Sequence, residues 1–261
     1  MPILIATTIV TAIGLILAIM LVIAAKFLKV SVDEKFTDIR ACLPGVNCGA
    51  CGYTGCDSYA AALVNDPTVK TNLCIPGADA VAAEIANVLG VEAEDVIEQT
   101  SRVKCNGNCD KTGKIAELYG AKSCSAAKLV YGGAGKCTFG CIGLGDCTKV
   151  CPTNAICIDN GIARIIKEKC IGCGLCAKTC PNSVISLADA VCTVTVKCNN
   201  HDKGAITRKK CTAGCIGCKK CENTCPNGAI TVQDNLAVID YSKCTNCGEC
   251  AKVCPVGCIE T

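Results

Sequence analysis

The chain has no tryptophan, and aromatic residues make up only 3% of its 261 positions. A thin aromatic supply argues against a large conventional hydrophobic core. With the cysteines set aside, truly apolar residues fall to about 40% of the chain. No G-x-G-x-x-G fingerprint and no P-loop occurs, which leaves nicotinamide and nucleotide binding unsupported. No catalytic acid–base pair stands out either. The sole histidine, His201, lies in the polar stretch CNNHDKG and reads as solvated rather than as a ligand. The formal net charge of +3 indicates no particular partner, and no nucleic-acid partner is expected. Charge is absent altogether from Ile3 to Ala25.

What the chain has in excess is cysteine, 29 residues, well above the level at which thiols rather than a core dictate a fold. An odd count, and x-x spacings too short for easy mutual pairing, argue against disulfides. Structural zinc suits four-cysteine groups but requires neither Cys-Pro endings nor interleaved triplets. Bound metal is expected to supply much of the folding energy.

The clearest pattern is Cys215-x-x-Cys218-x-x-Cys221-x-x-x-Cys225-Pro226 followed by Cys244-x-x-Cys247-x-x-Cys250-x-x-x-Cys254-Pro255. This is the two-cluster bacterial ferredoxin signature, in which the cysteine before proline ligates the other cluster. The expected sets are Cys215, Cys218, Cys221 with Cys254, and Cys244, Cys247, Cys250 with Cys225. Shifting residues 124–187 by 74 positions onto 198–261 superposes nine cysteines without a gap, so the second half is a tandem repeat. The first copy accordingly gives Cys170, Cys173, Cys176 with Cys151. Its other site is irregular, because Leu144 stands where the second copy has Cys218. Cys141, Cys147 and Cys180 therefore need a fourth ligand, and Cys137 is the nearest candidate. In each copy an apolar stretch, a turn (Asn160-Gly161, Asp234-Asn235) and a second apolar run predict a β-hairpin.

Upstream, Cys48-x-x-Cys51-x-x-x-x-Cys56 with Cys74 forms a further four-cysteine site. Asp57 is expected to cap the helix suggested by SYAAALV, and helical periodicity with acidic residues follows from Ala78 to Gln99. That acidic stretch reads as a solvated face. Five sites use 20 cysteines as [4Fe-4S] ligands. Cys105, Cys109 and Cys124 are left as candidates for a sixth cluster, with Cys137 or another spare thiol as the last ligand. Cys42, Cys157, Cys192, Cys198, Cys211 and Cys258 have no assigned role.

The run from Ile3 to Ala25 would span about 34 Å, enough for a bilayer core of about 30 Å. It reads as a membrane anchor rather than a signal peptide, since no basic n-region precedes it. Lys26, Lys29, Lys35 and Arg40 follow it, which places the cysteine domains in the cytoplasm of a single-pass protein. The expected fold class is α+β, divided into an anchor (1–28), a small helical 4Fe-4S domain (31–100), a cysteine-bearing connector (101–135) and two ferredoxin-like domains (136–190 and 198–261).

With the anchor, the CGACGYTGC segment, VKCNGNCDK, KCTFGCIGLGDCTKVCP and the tandem motifs in this order, the sequence resembles the B subunit of the Rnf membrane complex. The resemblance implies an electron-transfer subunit that accepts electrons from reduced soluble ferredoxin and passes them to partner subunits, coupled to Na⁺ or H⁺ transport. Such a chain has no acid–base catalysis of its own. Alternative readings are a polyferredoxin component of a hydrogenase or formate dehydrogenase assembly, and a cysteine-rich metal-storage or zinc scaffold protein.

Overall fold

The computed structural model describes residues 1–27, 34–117 and 119–261; Lys29 and the expected boundaries at 28 and 31 lie outside the described residues. Helix α1 runs from Pro2 to Phe27. Its 18-residue window Thr7–Ala24 carries no buried residue, and apolar side chains face outward on every side, among them Val10, Leu15 and Leu21. This helix, apolar all round and unburied over that window among the described residues, is long and apolar enough to cross a membrane.

The next unit packs α2 (Glu34–Cys42), α3 (Cys56–Asn65) and α4 (Ala78–Leu89) around Ile39, Tyr59 and Ile85. Tyr59 reaches through this core to donate its hydroxyl to the Lys70 carbonyl at 2.7 Å. The α3 helix starts at Cys56, so Asp57 falls inside its first turn and is not its cap; Asn47 Oδ1 accepts the Cys56 N–H at 2.8 Å, and Asp57 pairs with Arg40. The helical pattern expected to continue to Gln99 stops at Leu89. Gly90 closes α4 with φ 72°, a left-handed conformation that glycine adopts without steric cost.

The hairpins form where the sequence predicts them. Strands β2 (Ile156–Asp159) and β3 (Ile162–Ile165) pair Ile156 with Ile165, as β6 (Ile230–Gln233) and β7 (Leu236–Ile239) pair Ile230 with Ile239. Both central turn residues have positive φ in each hairpin, as two-residue type I′ turns require: Asn160 (45°) and Gly161 (80°), then Asp234 (46°) and Asn235 (63°).

Two long-range sheets finish the units. Strand β1 (Gln99–Val103) pairs antiparallel with β4 (Ile185–Asp189), and β5 (Thr195–Val196) with β8 (Ile259–Glu260). Segment 101–135 is thus no free connector: its start is an edge of the first ferredoxin unit. Arg102 on β1 ties the two units together. Its buried guanidinium donates to Thr195 Oγ1 at 2.9 Å, to the Asp189 carbonyl at 3.0 Å and to the Cys192 carbonyl, and it lies 5.7 Å from the Tyr241 ring centroid.

Candidate metal centres

Each ferredoxin unit builds its sites from the same local piece. A loop carries the first cysteines of a triplet, and a short helix takes the last into its first turn. The helices are α6 (Asp146–Lys149) with Cys147, α7 (Leu175–Thr179) with Cys176, α9 (Lys220–Thr224) with Cys221 and α10 (Glu249–Lys252) with Cys250. Helix α5 (Cys124–Leu129) precedes the first unit's triplet, and α8 (Gly204–Lys210) the second's.

In the second unit, Cys225, Cys244, Cys247 and Cys250 line one cavity, while Cys215, Cys218, Cys221 and Cys254 line another. A fifth thiol, Cys258, borders that second cavity, 3.6 Å from Cys254 Sγ and hydrogen-bonded to Cys215. Hydrogen bonding from Cys258 pulls the Cys215 thiol below its usual value. In the first unit, burial pushes the Cys176 thiol up, with Cys170 and Cys151 adding to it. The cross-over cysteines are held alike: Cys151 Sγ accepts the Ala155 N–H and Cys225 Sγ the Ala229 N–H, each at 3.2 Å. Around Cys225 such backbone donors outweigh burial and hold its thiol below the usual value.

The irregular site differs from expectation. The cavity of Cys141, Cys147 and Cys180 is completed by Cys124, while Cys137 lines a separate one. The reason is local. Ser123 caps α5, with its Oγ accepting the Ala126 N–H at 3.1 Å, and Asp146 of α6 accepts from the Ser125 N–H at 3.0 Å and the Ser125 hydroxyl at 3.2 Å. This clamp sets the start of α5, and with it Cys124, against Cys147. Leu144 is exposed. Burial, reinforced by Cys141, Cys124, Cys180 and Cys176, pushes the Cys147 thiol up to about 12.

The 74-residue register also mispairs one position. It sets Cys124 on Cys198, but the structural counterpart of Cys198 is Cys105. Each follows Val-Lys (103–105 and 196–198) at the end of an edge strand, and each sulfur accepts an N–H from the first cysteine of the adjacent triplet: Cys141 to Cys105 at 3.3 Å, Cys215 to Cys198 at 3.2 Å. Cys137 follows Cys105 by 32 positions, against 13 between Cys198 and Cys211. The extra length in the first copy is what delivers Cys124. The expected grouping of Cys105, Cys109 and Cys124 does not form. Cys109 is exposed against the β2–β3 turn, its N–H donating to the Asn160 carbonyl at 3.1 Å, and Cys124 is in the Cys147 site.

In the N-terminal unit, Cys74 sits between two short turns, Thr71–Leu73 and Ile75–Gly77. Burial pushes its thiol up to about 11, and the nearby Cys56, Cys51 and Cys48 thiols contribute. Repulsion of this kind recurs at nearly every grouping. Thiols gathered out of water and against one another resist ionisation, and a cationic metal core removes both penalties. Among the described residues no three Cys, His, Asp or Glu side chains converge on a single metal ion. The sulfurs instead border cavities, and this suits a cluster better than one zinc ion.

The groupings border one another. Cys48 acts on the Cys173 thiol, Cys176 on Cys147, Cys105 on Cys141 and Cys215 on Cys198. No single sequence motif encodes this succession.

Family models match three segments: a 4Fe-4S dicluster domain at 214–258, a 4Fe-4S binding domain at 163–186 and an Fe-S cluster model at 43–76. The chain is 42% identical to the B subunit of the Na(+)-translocating ferredoxin:NAD(+) oxidoreductase complex of Acetobacterium woodii, over 88% of this chain and 69% of that one. It is 43% identical to the B subunit of the proton-translocating ferredoxin:NAD(+) oxidoreductase complex of Clostridium ljungdahlii, over 90% and 83%. Identity to the B subunit of the ion-translocating oxidoreductase complex of Methanosarcina acetivorans is 37%, over 89% and 88%.

Proposed function

Because this chain belongs to the B-subunit family of Rnf-type ion-translocating oxidoreductase complexes, we propose that it is the membrane-anchored electron relay of such a complex. It takes electrons from reduced soluble ferredoxin and hands them to partner subunits, and the complex couples this flow to Na⁺ or H⁺ transport. Helix α1 crosses the membrane once, with Lys26, Lys35 and Arg40 on the cytoplasmic side.

A [4Fe-4S] cluster, when bound, supplies a one-electron carrier whose potential its surroundings set. The ligands are Cys48, Cys51, Cys56 and Cys74; Cys151, Cys170, Cys173 and Cys176; Cys124, Cys141, Cys147 and Cys180; Cys215, Cys218, Cys221 and Cys254; and Cys225, Cys244, Cys247 and Cys250. Backbone N–H donors hold Cys151 and Cys225 in place, and those around Cys225 favour its thiolate form. The second unit presents Cys218 and Cys247 at its surface, and exposed Lys219 and Lys220 follow Cys218 directly. Positive charge beside an exposed ligand attracts an acidic electron carrier.

The observation that carries this reading is the succession of thiol groupings, each bordering the next. Its test is purification of the native complex under anaerobic conditions. A brown chain that co-purifies with other membrane subunits and bleaches on addition of reduced ferredoxin supports it. A colourless zinc protein, or one isolated without partners, would sink it.

A further inference from the structure

The cavity between the two ferredoxin units is lined by Cys105, Cys137, Cys198 and Cys211, two cysteines from each copy of the repeat. The copies meet there through paired backbone: the Thr212 N–H donates to the Lys111 carbonyl at 2.9 Å and the Asn106 N–H to the Lys197 carbonyl at 3.1 Å. Local structure is duplicated as well. Cys137 and Cys211 open matching Cys-Thr-x-Gly-Cys loops, whose Gly140 and Gly214 N–H groups donate to the Cys137 and Cys211 carbonyls.

Each of the four sulfurs has backbone donors turned toward it. Cys105 and Cys198 accept from the N–H groups of Cys141 and Cys215. Phe139 and Gly140 donate toward Cys137, Ala213 and Gly214 toward Cys211, and Asn200 also toward Cys198. Such nests of N–H groups suit an iron–sulfur cluster that, counted with its four thiolate ligands, is anionic as a whole.

Glycine keeps the space open. A Cβ on Gly107 would lie 3.2 Å from Cys211 Sγ and 3.7 Å from Cys105 Sγ; one on Gly140 would lie 3.5 Å from Cys105 Sγ and 3.6 Å from Cys137 Sγ. The sulfurs thus face one another across residues that have no side chain. Cys198 and Cys211 are buried.

We propose that Cys105, Cys137, Cys198 and Cys211 hold a sixth [4Fe-4S] cluster, shared between the two ferredoxin units. This rests on the reading that the other cysteine groups hold clusters, and it adds the member that joins one unit's pair to the other's. Cys141 borders this cavity and is itself a ligand of the Cys124 site, while Cys215 donates its N–H to Cys198 from the second unit. The junction cluster therefore stands between the two pairs, and the two-copy repeat becomes a continuous line.

Native mass spectrometry of the full-length protein, purified anaerobically in detergent, counts clusters directly. Six clusters, about 24 iron atoms per chain, are expected. Each of Cys105→Ser, Cys137→Ser, Cys198→Ser and Cys211→Ser should lower the count to five, while Cys109→Ser and Cys157→Ser leave six. Five clusters in the unaltered chain, or five with one zinc ion, would overturn the junction cluster and leave the relay reading intact. A protein with no iron would overturn both. If a junction variant loses several clusters at once, the spare thiols decide: loss of a cluster in Cys109→Ser or Cys157→Ser, with six in the unaltered chain, refutes this ligand set.

Discussion

The ammonium of Lys178, on α7 of the first ferredoxin unit, donates to the main-chain carbonyl of Cys48 at 2.8 Å. One side chain thereby ties the loop of the N-terminal cysteine group to the helix carrying Cys176. Replacing Lys178 by Met removes this tie and keeps the aliphatic stem. Amide exchange over residues 48–53 should accelerate about three- to tenfold, as expected for one partly solvated hydrogen bond worth roughly 1 kcal/mol. Unchanged exchange there would show that the two units are held by other contacts.

Cys124→Ser should remove one cluster, about four iron atoms, while Leu144→Ala removes none. Iron and sulfide analysis of the two variants side by side checks this. Full iron content in Cys124→Ser would return the fourth ligand to the unassigned thiols.

Arg102 is buried at the junction of the units, and its two terminal guanidinium nitrogens donate to carbonyl oxygens and a hydroxyl. Arg102→Met strands these acceptors and removes the stacking on Tyr241, at a cost of about 3 kcal/mol. Anaerobic thermal unfolding should show a midpoint lower by several degrees. An unaltered midpoint would mean that β1 and β5 hold the units together unaided.

Lys219 and Lys220 flank the exposed Cys218. Reversing both to Glu should raise KM for reduced ferredoxin several-fold, leave kcat nearly unchanged and flatten the salt dependence, because exposed charges act mainly on encounter. Steady-state assays of the complex across ionic strength decide it; a fall in kcat alone would place ferredoxin elsewhere.

Cys258 is buried beside Cys254 and Cys215, and the same position in the first copy is Val184, also buried. Cys258→Val should keep the iron content and lower the potential of the neighbouring cluster by roughly tens of millivolts, since one hydrogen bond to a ligand sulfur is lost. Redox titration followed by EPR reads the shift, and loss of iron would instead make Cys258 a ligand.

The N-terminal apolar helix, the cysteine triplets and the two hairpins were legible in the sequence because each is encoded within a few residues. Twenty-three uncharged positions make a membrane-length helix, Cys-x-x-Cys-x-x-Cys brings sulfurs to one loop, and Asn160-Gly161 accepts the positive φ of a tight turn. The end of α4 at Gly90 was not read from the sequence, because the apolar period runs past it. That Cys124 is the thiol lining the cavity of Cys141, Cys147 and Cys180 was not legible by spacing. It depends on the Asp146–Ser125 clamp, which joins α5 to α6 only once the chain has folded. Nor could a gapless register show that Cys105 is the partner of Cys198, because the copies differ in length between these cysteines and the next. Local sequence therefore determined which thiols gather in triplets. Tertiary structure decided which distant thiols complete them, because β1 meets β4, and the two copies meet each other, only through backbone and side-chain contacts between distant parts of the sequence.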